Sequence, residues 1–110
     1  MNTTLKKLHK QLVRTHAQLA GRLGKTKDQS EAEALLGEME EVNFRVMMAG
    51  RLLFKETTAQ IDGQVEAILS GAEELETSIR ELSEMKALVA EVGAFLATVD
   101  TVLDKVKLLA

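Results

Sequence analysis

Apolar residues recur three or four positions apart through most of this 110-residue chain, which contains no proline. This spacing places side chains on one face of an α-helix, whereas a half-buried strand alternates every two residues. The sequence is also rich in Ala, Leu and Glu, which favour helices. We therefore predict an all-α fold, and the chain length fits a single helical domain over residues 1–110. The most regular early stretch consists of Leu35, Met39, Val42, Val46, Ala49 and Leu53.

Capping residues and polar loops divide this pattern into three predicted helices. Asn2 or Thr3 can cap the first helix, and Ser30 with Glu33 matches a capping box at the start of the second. The expected fold is an elongated three-helix bundle with a long C-terminal helix that resembles a coiled coil. The predicted helices span about 3–24, 31–55 and 64–110.

The turn before the third helix has two candidate positions. Residues 55–63 are mostly polar and include Gly63, which disfavours a helix. Ser70-Gly71 is the alternative, because Ser70 and Glu73 form a second capping-box sequence. The apolar spacing continues unbroken past Gly71, which favours the turn at 55–63, and Ser70-Gly71 stays open as the second position.

The C-terminal third carries the widest apolar stripe. Helices of the predicted lengths would measure about 33, 38 and 70 Å, so two short helices could not cover the long one. An exposed stripe of that size is rare in monomers, so we predict a homodimer or higher oligomer. The predicted self-association residues are Met85, Leu88, Val92, Phe95, Leu96, Val99, Val102, Leu103 and Val106.

Charge is distributed unevenly along the chain. The first 27 residues contain seven basic residues and no acidic ones, whereas the rest contains seven basic and 17 acidic residues. In the first helix the cations lie opposite the leucines and form a candidate partner-binding surface, called here the basic face. It can contact acidic helices of its own chain or an external partner, and the sequence does not decide between them. Its residues are Lys7, Lys10, Arg14, Arg22 and Lys25.

The sequence gives little support for catalysis. It contains no cysteine, no glycine-rich phosphate-binding motif and no Glu-x-x-His pair of the carboxylate-bridged bundles. His9 and His16 are seven residues apart, and we interpret His16 as completing the apolar stripe of the first helix and His9 as flanking it, rather than as metal ligands. We predict no enzyme activity, no catalytic residues, no metal and no cofactor.

These patterns limit the function classes. We predict a non-catalytic, protein-binding helical module (an adaptor, chaperone or inhibitor of a larger assembly) that self-associates through its C-terminal helix. The alternative is a dimeric nucleic-acid-binding protein that uses the basic face. We expect a cytoplasmic location, because there is no cysteine, no signal-like apolar run and no stretch that could span a bilayer. We expect no membrane partner.

Overall fold

Four α-helices make up most of the computed structural model, which describes residues 2–109. No strand occurs among these residues, so the all-α prediction is confirmed. The bundle measures 46 × 22 × 17 Å. Met1 and Ala110, the two ends of the predicted domain, lie outside the described residues. The helices are α1 (Thr3–Leu23), α2 (Gln29–Arg51), α3 (Ala59–Glu81) and α4 (Met85–Lys107).

The helices form two antiparallel hairpins that pack side by side. α1 contacts α2 and α3, and α4 also contacts α2 and α3. The order around the bundle is therefore α1, α2, α4, α3, and the α2–α3 connection crosses the bundle end diagonally. The backbone N–H of Asn2 donates to the backbone carbonyl of Leu53 at 2.8 Å, which joins the start of α1 to the turn after α2.

Each helix turns one apolar stripe towards a common core. Leu5, Leu8, Leu12 and Leu19 are fully buried on α1, and Leu35, Val42 and Ala49 are fully buried on α2. The buried polar residue Thr15 donates its hydroxyl to the Gln11 carbonyl at 2.9 Å, so its burial leaves that donor satisfied. The core residues of α3 and α4 are Ile61, Val65, Ile68, Ala72, Leu75, Ile79, Leu88, Val92, Leu96, Val99, Val102, Leu103 and Val106.

The prediction of a three-helix bundle with one long C-terminal helix over 64–110 is wrong, because two helices, α3 and α4, occupy that part of the chain. α3 ends at Glu81, and Leu82 has extended backbone angles (φ −68°, ψ 122°) before α4 begins at Met85. The break spans three residues and contains neither proline nor glycine. Leu82, the first residue of the break, and Met85, the residue after it, both pack against the core, so the apolar spacing shows no gap there.

The preceding turn lies over residues 52–58, which overlaps the favoured segment 55–63. α3 then begins at Ala59 rather than near residue 64. The alternative turn at Ser70-Gly71 is wrong, because α3 continues through both residues. Thr58 caps α3, since its Oγ1 accepts the Ile61 amide at 3.2 Å.

The predicted N-cap of α1 is confirmed, and the predicted N-cap of α2 is wrong. Asn2 caps α1, with its Oδ1 accepting the Leu5 amide at 2.9 Å. In α2 the cap is Asp28, whose Oδ1 accepts the Glu31 amide at 3.0 Å, and Ser30 already lies within the helix. Asp is as good an N-cap as Ser and comes two residues earlier, which explains why the Ser30–Glu33 capping box is not used.

Two polar clusters hold the hairpins together. At the diagonal crossing, Asn2 Nδ2 donates to Thr57 Oγ1 at 3.1 Å, and the Thr57 hydroxyl donates to Asp62 at 2.5 Å. The Thr57 hydrogen bond, with a second from Thr4, lowers the pKa of Asp62.

The second cluster joins α2 to α4. Arg45 donates from Nε and Nη2 to the two carboxylate oxygens of Asp100 at 2.9 and 2.8 Å. The hydrogen bonding to Asp100 raises the pKa of Arg45 above its usual value. A paired geometry of this kind, on an Arg side chain that is only 15% exposed, fixes how the two helices lie side by side.

Glu38 on α2 makes the stability of the fold depend on pH. Burial raises its pKa, the nearby Glu41 charge adds to the rise, and Arg45 opposes it. Glu38 therefore binds a proton more readily in the folded state than in the unfolded state. At neutral pH the charged carboxylate lowers the free energy of unfolding, and this destabilisation disappears as the pH falls below the ordinary pKa of Glu38. We expect Glu38→Gln to be more stable than wild type at neutral pH and equal to it at about pH 3, well below the ordinary Glu pKa of ~4.3, where Glu38 is largely protonated in both states.

Urea unfolding at the two pH values measures this difference. Glu40→Gln, at an exposed position on the same helix, is the control and should leave stability unchanged at both. A Glu38→Gln protein no more stable than wild type at neutral pH would show that burial of this carboxylate carries no cost.

Candidate functional site

The predicted basic face lies on the outer side of α1, and part of it is used within the chain. Lys7 Nζ lies 3.8 Å from Glu66 Oε1, and Arg14 Nη2 lies 3.2 Å from Glu76 Oε1, both on α3. Lys7, Arg14 and Glu66 remain more than half exposed, and Glu76 is 27% exposed. Ion pairs this accessible to solvent contribute at most about 1 kcal/mol each.

The other three residues of the basic face differ in their surroundings. Arg22 Nη1 donates to the Ile79 carbonyl near the C-terminal end of α3 at 2.8 Å. Cations are favourable at that end of a helix. Lys10 and Lys25 are exposed and have no acidic side chain within 4.0 Å among residues 2–109. The basic face therefore combines intramolecular contacts with free cations.

The predicted self-association residues mostly lie inside the monomer. Seven of the nine are buried in the bundle core, and the other two, Met85 and Phe95, are half-buried against it. The dimer was predicted because one long helix would have had an uncovered apolar stripe, and the helix break at residues 82–84 means that no such long helix exists among the described residues. Self-association stays an untested prediction without that support.

An open apolar groove lies between α3 and α4 on the outside of the bundle, with a volume of about 660 Å³. This volume is within the range of known ligand-binding clefts. Four apolar side chains in its lining also belong to the core or pack against it: Ile68, Leu75, Phe95 and Val102. The rest of the lining is Gln64, Ala67, Gly71, Glu74, Ser78, Glu91, Ala94, Thr98 and Thr101.

Small side chains keep this groove open. Ala67, Gly71 and Ser78 lie along one side of α3, while Ala94, Thr98 and Thr101 lie along the facing side of α4. A β-carbon at Gly71 would have no atom of a neighbouring element within 4 Å. The groove thus has room for the side chains of another molecule.

Polar groups at the two ends of the groove lack partners. Glu74 and Glu91 are exposed in the lining, and neither has a basic side chain within 4.0 Å in the described part of the chain. Gln64 Oε1 is buried and accepts no hydrogen bond from residues 2–109. An unsatisfied buried acceptor costs about 1–3 kcal/mol.

A smaller cavity of about 200 Å³ lies between α1 and α3. Its polar lining includes Gln18, whose amide nitrogen and oxygen are both buried without partners among residues 2–109. Two charged residues of the lining, Arg22 and Glu76, are already bonded across α1 and α3. We therefore regard this cavity as part of the helix packing.

Other exposed apolar residues do not line the groove. Phe54 lies in the turn after α2, and Leu108 is the C-cap of α4. The centre of the Phe44 ring lies 5.8 Å from the guanidinium carbon of Arg45. Val13, Leu36, Phe44, Met47, Phe54 and Leu108 form this set.

The histidines of α1 take part in helix packing. A β-carbon at Gly50 would lie 3.5 Å from His9 Nε2, so His9 lies where α1 meets α2. His9 and His16 are both half-buried. Among the described residues, no group of three or more His, Cys, Asp or Glu side chains is arranged to hold a metal ion.

Comparisons with known proteins found no matching family model, no matching curated protein and no matching solved structure. None of the helices within residues 2–109 combines the length and apolar character needed to cross a membrane. The site is therefore defined by the geometry of the bundle itself.

The groove was not predicted from the sequence. Its signal in the sequence is small residues at 67, 71 and 78 and at 94, 98 and 101, spaced three, four or seven apart as on one side of a helix. Those two stripes face each other only because α3 and α4 form a hairpin. The predicted continuous helix would have separated them.

Proposed function

We propose that this chain is a non-catalytic protein-binding module that docks its partner in the groove between α3 and α4. The supporting observation is that the groove between α3 and α4 is open and predominantly apolar, whereas most apolar residues of the four helices pack into the common core. The role is that of an adaptor, chaperone or inhibitor of a larger assembly. The cytoplasmic location and the homodimer remain predictions that this proposal does not need.

A second candidate is nucleic-acid binding through the basic face. Its support is that Lys10 and Lys25 are exposed and unpaired within residues 2–109. Cations of this kind give weak, salt-dependent contacts with phosphates. We rank it second because Lys7, Arg14 and Arg22 already contact α3.

The groove can be filled without disturbing the fold. In Gly71→Leu, the new side chain starts in open space and occupies the groove. Leu is also a better helix former than Gly by about 0.8 kcal/mol. We expect Gly71→Leu to fold with at least wild-type stability and to lose partner binding.

The matched control is Gly93→Leu on α4, which makes the same change at an exposed position outside the groove lining. Affinity capture from an extract of the source cells, at low and high salt, compares both variants with wild type. Proteins retained by wild type and Gly93→Leu but lost from Gly71→Leu support the proposal. Identical proteins captured by all three would contradict it, and nucleic acid captured only at low salt would favour the second candidate.

A further inference from the structure

We propose that the ligand of this groove is an amphipathic α-helix of another protein, with Lys or Arg beside its apolar face at the end that lies over Glu74 and Glu91. This inference rests on the proposed function and adds the chemistry of the partner. It draws on the shape of the groove, the charge around it and the burial of the chain's own basic helix.

The shape of the groove fits a helix. On α3 the lining extends from Gln64 to Ser78, which corresponds to about 21 Å and therefore to a helix of about 14 residues. The small residues Ala67, Gly71 and Ala94 would let a third helix approach closely, since the distance between helix axes depends on the side chains at the contact. Apolar anchors spaced three, four and seven apart would then meet the apolar lining.

Charge favours a basic partner. Residues 58–109, which contain α3 and α4, carry ten acidic and four basic side chains, a net charge of −6. Glu74 and Glu91 bring two of these acids into the groove lining itself. A basic flank would pair with them, steer association and disfavour acidic helices.

The basic helix of a second copy is not a suitable occupant. α1 is the basic helix of this chain, but its leucines Leu5, Leu8, Leu12 and Leu19 are fully buried in its own core. Releasing that face would unfold the copy that supplied it. The partner helix therefore comes from a different protein.

Selection from a displayed peptide library tests this inference. The library consists of helices of about 16 residues with apolar residues fixed at three- and four-residue spacing and all other positions randomised. Selection uses the full wild-type chain. Enriched peptides are then measured against Gly71→Leu, Gly93→Leu, the double variant Glu74→Gln/Glu91→Gln and the control Glu33→Gln/Glu40→Gln, whose positions are exposed on α2.

We expect the enriched peptides to carry excess Lys and Arg at one end and to lose binding to Gly71→Leu. Their affinity should fall about tenfold or more in Glu74→Gln/Glu91→Gln and at high salt, and stay unchanged in the two controls. Peptides that need the open groove but show no excess of basic residues would overturn this inference and leave the proposed function intact. If no peptide is enriched, or enriched peptides bind Gly71→Leu as well as wild type, the groove is not a helix-binding site and this inference fails, whereas the proposed function is decided by the capture experiment with Gly71→Leu and Gly93→Leu.

Discussion

Val99→Glu should unfold the isolated chain. Val99 is fully buried in α4, where the substitution would place a carboxylate among apolar side chains. Burying an unpaired charge costs several kcal/mol, which is comparable to the total stability of about 5–15 kcal/mol of a domain. We expect loss of the helical circular dichroism signal at every protein concentration, and Leu96→Glu should behave in the same way because Leu96 is 4% exposed.

The control for this prediction is Leu36→Glu, because Leu36 is 49% exposed on α2. It should change stability by less than about 0.5 kcal/mol, as surface substitutions usually do. A folded Val99→Glu monomer with weakened self-association would instead indicate that Val99 lies at an interface between chains, as the sequence first suggested.

Reversing Lys7, Lys10 and Arg14 to glutamate should lower stability by about 1–2 kcal/mol at low salt. Two of the three changes replace attractive pairs with repulsive ones, since Lys7 lies near Glu66 and Arg14 near Glu76. Each exposed pair contributes up to about 1 kcal/mol, and reversal adds a repulsion of similar size. The melting temperature should fall by several degrees, and the loss should shrink at high salt.

Lys10→Glu/Lys25→Glu is the matched control, because neither lysine has an acidic partner within 4.0 Å in the described residues. It should retain wild-type stability. If the triple variant also retains wild-type stability at low salt, the two pairs with α3 do not stabilise the bundle. If the two sets of reversals abolish nucleic-acid binding equally, the second candidate function gains support over groove docking.

The first half of the fold was predictable from local signals. Asn2 caps α1 as expected, and the polar loop before Asp28 separates α1 from α2. These signals act over a few residues and are visible in the sequence. The charge asymmetry left open whether the basic helix contacts acidic helices of its own chain or an external partner, and the Arg14–Glu76 pair shows that part of its charge is used within the chain.

The second half was not predictable in the same way. Leu82-Ser83-Glu84 lacks a proline or glycine, and Glu84 makes no side-chain cap hydrogen bond with α4. Leu82 and Met85 continue the apolar spacing because both helices turn the same kind of stripe towards one core. The groove depends on that reversal, because Gly71 and Phe95 line one groove only when α3 and α4 lie side by side.

The groove depends on the hairpin between α3 and α4. The distance between one site on each helix tests directly whether that hairpin forms. The chain contains no cysteine, so spin labels attach only to introduced cysteines. Gly63 and Asp104 are exposed on α3 and α4 and serve as label sites. Pulsed electron spin resonance on labelled protein diluted with unlabelled protein should give a separation below about 30 Å, because packed helix axes lie about 8–10 Å apart and each label adds a short arm. A separation near 60 Å would mean that residues 63–104 form one continuous helix at about 1.5 Å per residue, and would contradict both the bundle and the groove.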